Sequence, residues 1–228
     1  MIRRTRTALA AAVVIPAAAL LLAACAGSPP PATPQSRMTF FVTSGNPGKG
    51  ANFGGLAGAD AYCQSLASAV GAGGRTWRAY LSATPVGDTP HVNARERIGK
   101  GPWQNVKGEL IASNLEQLHG ENLLSKMTVV TEKGEPLSGR GDPVNMHDIL
   151  TGTSPDGRAI SGPADTTCGN WTKDGAEGSA IVGHHDRVGL GTPEAARSWN
   201  SSHATRGCGL EQLKSTGGNG RLYCFAVN

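Results

Sequence analysis

The 228-residue chain reads as an α+β protein of short strands and long ordered loops with few helices. Three observations predict this. Glycine and proline are heavily used, 32 and 14 residues, which is a composition of turns rather than of long elements. Only two stretches place apolar residues at helical spacing. Four of the five cysteines lie downstream of an export signal, where an even number argues for two disulfides that staple a loop-rich body.

The elements follow in order. Arg3, Arg4 and Arg6 precede an apolar run from Ala8 to Leu22, and Leu22-Ala23-Ala24-Cys25 supplies a small-residue cleavage site. This resembles a bacterial lipoprotein signal, in which the cysteine thiol carries a diacylglycerol and the chain is cut before it. Residues 1–24 are therefore expected to be a signal peptide and Cys25 a lipid anchor. A plain signal peptide or an uncleaved anchor is the alternative, but the run is shorter than the roughly 20 residues a spanning helix needs. Ala26 in place of an aspartate points, by analogy with enterobacterial sorting, to the outer membrane, so the expected location is the bacterial cell envelope. Residues 25–37 hold the lipidated cysteine and a proline-rich tether, and residues 38–228 suffice for one domain with a real core.

Within that domain, Met38-Thr39-Phe40-Phe41-Val42 predicts a strand closed by Gly45-Asn46-Pro47-Gly48. Leu56, Ala59, Cys63, Leu66, Ala67 and Val70 predict a helix that the Gly71–Gly74 cluster stops. Trp77 to Ala83 alternates like a strand with Trp77, Ala79 and Leu81 facing the core and Arg78, Tyr80 and Ser82 facing out. Leu110, Ile111, Leu115 and Leu118 predict a second helical element between Glu109 and Leu124, and short strands and long loops follow Met127. Once the three leader arginines are set aside, 18 basic side chains face 17 acidic ones. A net charge of +1 does not support a nucleic-acid or polyanion binder.

Gly58-Ala59-Asp60, Cys63, Ala69-Val70-Gly71 and Trp77 followed by Arg78-Ala79-Tyr80-Leu81-Ser82 resemble the first helix and strand of endostatin, the C-terminal module of certain collagens. Asn105-Val106-Lys107 with Glu109-Leu110-Ile111, then Ile149 to Arg158, Cys168, Trp171, Cys208 and Tyr223-Cys224 continue the likeness in order. The resemblance implies a C-type lectin-like fold of two small antiparallel sheets and two helices. It also implies two nested disulfides, Cys63 to Cys224 and Cys168 to Cys208; the cysteine count alone allows three pairings.

The departures guide the search for a site. The family's zinc site uses histidines near its own N-terminus, and Met38 to Phe53 has none, so that site does not carry over. The segment between Trp171 and Cys208 is longer here and holds Gly183-His184-His185-Asp186-Arg187 and Ser198-Trp199-Asn200-Ser201-Ser202-His203. Trp199, Asn200, His203, His184, His185 and Asp186 are the candidate ligand-binding residues. Trp199 could stack on a sugar ring, whereas Trp171 reads as core. The imidazoles and carboxylate suit zinc or acid-base work, although adjacent residues such as His184 and His185 point to opposite faces of an extended segment. The two triplets of calcium-dependent sugar binders are broken: Glu135-Pro136 precedes Leu137 and Trp199-Asn200 precedes Ser201. Arg140-Gly141-Asp142 reads as a turn in which Asp142 caps the chain.

No nucleophile elbow, zinc-protease helix or phosphate loop is present. The expected function is a non-catalytic, envelope-anchored, lectin-like module that recognises a glycan or extracellular protein through its long loops, with no cofactor required and calcium or zinc as the candidate ions. A metal-dependent hydrolase centred on His184, His185 and Asp186 and a structural envelope lipoprotein are the alternatives.

Overall fold

The computed structural model describes residues 37–85 and 90–227 together with positions 2 and 33. The expected signal peptide, the anchor Cys25 and nearly all of the tether lie outside the described residues. Among those described, no helix is long and apolar enough to cross a membrane.

The framework is a mixed α+β arrangement organised around one long strand near the C-terminus. Strand β8 (Gly218–Ala226) pairs antiparallel with β1 (Phe40–Val42) along one edge and with β2 (Trp77–Ala79) along the other, since Cys224 and Phe225 have register partners in both. Its first half runs parallel to β5 (Asp148–Leu150). Strand β6 (Ile181–His184) then pairs antiparallel with β5, and β7 (His203–Ala204) with β6. A separate ribbon joins β3 (Trp103–Gln104) to β4 (Leu110–Ala112). The expectation of two small antiparallel sheets is thus corrected to a six-stranded mixed sheet and a two-stranded ribbon. The parallel β5–β8 pairing is possible because a long connection separates these strands in sequence.

Successive side chains of β8 feed two cores. Leu222 and Cys224 join Phe41, Trp77, Trp171 and Val182 on one face, while Tyr223 and Phe225 join Phe40, Tyr80, Trp103, Ile149 and Trp199 on the other. This two-sided burial explains why Tyr80 and Ser82, expected on a solvent face, are fully buried. The Tyr80 hydroxyl meets His119 Nε2 at 2.8 Å and accepts from Asn200 Nδ2 at 3.0 Å.

Helix α1 (Gly55–Ala69) forms where the spacing predicts, with Ala59, Cys63 and Ala67 on its buried stripe. The remaining helical segments are single turns: α2 (Ala94–Arg97), α3 (Leu115–His119), α4 (Pro193–Arg197) and α5 (Leu210–Lys214). The helix expected over Glu109–Leu124 is split. Ile111 and Ala112 belong to β4, and the Asn114 side chain, accepting from Gln117 N at 2.9 Å, starts α3 only afterwards. Both cysteine pairings are as the resemblance implied, Cys63–Cys224 and Cys168–Cys208. The first ties α1 to β8. The second holds a turn in which Cys168, Gly169, Asn170 and Trp171 all have positive φ, between 50° and 68°, a left-handed stretch that L-residues adopt only under external restraint.

Candidate metal centre

Sheet register builds the site. Asp148 at the start of β5 lies directly opposite His184 at the end of β6, and His203 on β7 lies opposite Val182, two residues back along β6. Residues i and i+2 of a strand share a face, so Asp148, His184 and His203 emerge on one side of the sheet, where the apolar row of Leu150 and Val182 ends. His147, just before β5, completes the group: its ring stacks on that of His184, with centroids 4.1 Å apart and planes 11° from parallel. Gly217 leaves room for it, since a Cβ there would come within 3.1 Å of the His147 ring.

The three imidazoles converge on one atom. Asp148 Oδ1 lies 3.1 Å from His147 Nε2, 3.5 Å from His184 Nε2 and 3.5 Å from His203 Nε2. On the far side of each ring, Nδ1 faces an acceptor: Asp186 Oδ1 at 3.2 Å for His147, Ala196 O at 2.9 Å for His184 and Ala204 O at 3.2 Å for His203. A carbonyl or carboxylate oxygen can only accept, so Nδ1 carries the proton in all three rings. In each neutral ring the Nε2 lone pair then faces the shared centre.

Neither Asp148 oxygen has a well-aligned hydrogen bond despite these short distances. Ring nitrogens gathered around one carboxylate oxygen without a bond to it form an arrangement that a shared ion would satisfy. The edges of a tetrahedron with metal–ligand bonds of about 2.0–2.2 Å measure roughly 3.3–3.6 Å, and the separations of Asp148 Oδ1 from His147 and His184 Nε2 are close to that range. One ligand atom each from His147, Asp148 and His184 falls within a mutual span of 4.8 Å.

The electrostatics agree with a cation-seeking centre. Burial disfavours the charged form of His147, but the adjacent Asp148 and Asp186 carboxylates outweigh this and push its pKa up to about 9. The nearby Asp148 carboxylate likewise raises His203 against the effect of burial. Burial dominates at His184 and holds it down, in the neutral form. Burial alone would raise both carboxylates, yet His147 and His203 hold Asp148 below its ordinary value, and His147 with the Arg140 and Val188 amides holds Asp186 well below. In the metal-free protein the negative charge of Asp148 is thus balanced by protons on imidazoles. The Ser202 hydroxyl, 3.0 Å from His184 Nε2, supplies a further partner.

The residues singled out from sequence separate into groups. His184 and His203 belong to the centre. Asp186 stands behind it, orienting His147 and accepting from the backbone amides of Arg140 at 2.6 Å and Val188 at 3.2 Å. His185 occupies the opposite face of β6, as strand alternation requires, with Nε2 donating to Ser138 O at 3.1 Å. His184, His185 and Asp186 therefore do not ligate one ion together. Trp199 is only 4% exposed and packs between Tyr80 and Tyr223, so it offers no free face to a sugar ring. Asn200 is buried as well, its Nδ2 donating to Tyr80 Oη and to the carbonyls of Ser154 and Pro155. Asp142 caps its turn, accepting from Gly139 N at 2.7 Å and from Lys126 Nζ at 2.6 Å. His147 and Asp148 escape sequence reasoning because only the β5–β6 register brings them to His184.

The centre opens at one point. The His203 side chain is 36% exposed whereas those of His147, Asp148 and His184 are at most 2%, and a cleft of about 370 Å³ leads to the three histidines past Arg140, Leu190 and Arg206. No family model matches the chain, and no curated protein matches it.

Proposed function

We propose that this chain is a lipid-anchored, lectin-like binding module of the bacterial envelope whose working centre is a transition-metal site built on His147, Asp148 and His184, with His203 beside it. The observation that carries the reading is the convergence of three Nδ1-tethered imidazoles on one buried carboxylate oxygen that has no aligned donor. Two nitrogens and one oxygen, with a third imidazole beside them, suit zinc, and imidazole also suits copper and nickel. Calcium, which needs six to eight oxygens, fits this donor set poorly. Orientation of His147 by Asp186 is the outer support that metal-bound histidines usually have.

His147, Asp148 and His184 are the three groups close enough to share one ion, and His203, 3.5 Å from Asp148 Oδ1 at the mouth of the cleft, is a further donor that completes the shell only by moving towards it. Anchoring through Cys25 rests on the signal motif, and recognition of a glycan or protein partner rests on the long loops that surround the cleft.

Metal analysis of the purified protein and a zinc titration test the reading. One equivalent of zinc is expected to bind saturably and to raise the unfolding temperature. His203→Ala removes the exposed imidazole beside the three ligands, so it is expected to keep the fold while weakening zinc affinity at least tenfold. A protein that binds no stoichiometric transition metal, or a His203→Ala variant that binds it unchanged, would overturn the proposal.

A further inference from the structure

The cleft over the metal centre carries a charge pattern that the centre itself does not require. Arg140 and Arg206 line it beside the three histidines, and no acidic side chain is among its lining residues; Asp148 lies beneath the histidines. Both arginines are exposed, and neither takes part in an ion pair among the described residues. Such unpaired guanidiniums hold rigid forks of donors suited to planar or tetrahedral oxyanions.

Their backbones are fixed in relation to the metal ligands. The Arg140 amide donates to the same Asp186 carboxylate that orients His147, so one side chain sets both the imidazole and the start of the arginine. Arg206 follows Thr205, which is three-way tied: its amide donates to Ala180 O, its hydroxyl accepts from Ala180 N and donates to Gly207 O. The cleft thus presents two cations on anchored backbone at the exposed side of the site.

We infer that the cleft takes an oxyanion, a phosphate or carboxylate group, held by Arg140 and Arg206 against the metal-loaded histidine centre. This rests on the metal reading above. A zinc or cobalt ion on three protein ligands keeps a position for a further group, so the anion either enters as a ligand there or stays in the outer sphere, paired with the guanidiniums. The group arrives as a free ion or on a larger molecule, and the chemistry recognised is the same.

The test uses the full protein loaded with cobalt(II), whose visible spectrum reports its coordination. Inorganic phosphate is titrated by calorimetry and by absorbance. Saturable binding is expected, weakened roughly three- to tenfold in Arg140→Ala and in Arg206→Ala, with cobalt affinity unchanged in both. A short aspartate-containing peptide and its asparagine counterpart, titrated in parallel, distinguish a carried carboxylate from a free ion. Cobalt that binds normally in a protein indifferent to phosphate and to the aspartate peptide overturns this inference and leaves the metal centre standing. So does anion binding that neither arginine variant changes. Failure of cobalt to bind is read separately in the metal titration and removes both readings.

Discussion

His147 and His184 stack face to face at 4.1 Å while both present Nε2 to the same oxygen of Asp148. Two charged rings at that distance would repel, so the pair is stable with a proton on one ring or with a cation shared between them. The fold takes the first solution when metal-free, protonating His147 and keeping His184 neutral. Metal binding must therefore displace a proton from the site.

The tether of His147 to Asp186 gives the first prediction. Asp186→Asn keeps the size of the side chain but loses one acceptor oxygen of the three-way arrangement with His147, Arg140 N and Val188 N. Zinc affinity is expected to fall by roughly 10- to 100-fold, the usual cost of losing an outer-shell partner. The metal-free protein is expected to lose about 1–3 kcal/mol for the amide left unsatisfied. Calorimetric zinc titration beside urea unfolding in chelator separates the two effects; an unchanged zinc affinity would deny Asp186 its role.

Gly189 provides a probe that touches no ligand atom in the natural protein. A Cβ at this position would fall on the His184 ring, and Gly189 does not have a positive φ, so Gly189→Ala acts through crowding rather than backbone strain. The imidazole must leave its native position beside Asp148. Zinc affinity is expected to drop at least tenfold while metal-free stability falls by about 1–3 kcal/mol, the range for overpacking. An alanine variant with native zinc affinity would mean that His184 is not a ligand.

What the sequence reveals depends on whether the signal is local. Helix α1 is legible because Ala59, Cys63 and Ala67 mark one stripe at spacing four, and β2 because Trp77 and Ala79 alternate with Arg78. Leu110 and Ile111 mislead, since a short apolar run fits a strand as readily as a helix and the decision falls to the β3 pairing and the Asn114 cap. Half of the metal centre is legible as a histidine-rich insertion. The other half, His147 and Asp148, opens an ordinary apolar strand and acquires chemistry only through the register that sets Asp148 opposite His184. Trp199 misleads for a related reason: its polar neighbours Ser198 and Asn200 suggest a surface loop, but their side chains turn inward to each other and to Tyr80.

That inward position makes Trp199 a stability residue. Its ring contacts Tyr80, Tyr223 and His119, and its carbonyl accepts from the Tyr223 hydroxyl at 2.9 Å. Trp199→Ala is expected to cost about 3–5 kcal/mol, as for other large core truncations, measured by denaturant midpoint. A variant of native stability that had lost a saturable glycan interaction would return Trp199 to the role of a stacking platform.

The left-handed turn from Cys168 to Trp171 makes a pH-dependent prediction. Its three non-glycine residues cost roughly 1–2 kcal/mol each in this conformation, so the restraints must hold it: the bond to Cys208, Trp171 Nε1 donating to Ser82 O at 2.8 Å, and the Asp165 carboxylate accepting from Thr167 N, Gly169 N and Lys173 Nζ. Burial would raise the Asp165 pKa, but Lys173 and the two amides hold it below 3.8. A carboxyl with a depressed folded value stabilises fully above its unfolded pKa and loses that contribution as pH falls through the folded value. The protein is therefore expected to lose stability progressively below about pH 4, partly through this group. Asp165→Asn should cost about 1–3 kcal/mol at pH 7 and show a correspondingly smaller loss between pH 7 and pH 3, read from urea midpoints of both proteins at the two pH values. Equal acid losses in the two proteins would show that the carboxylate does not hold the turn.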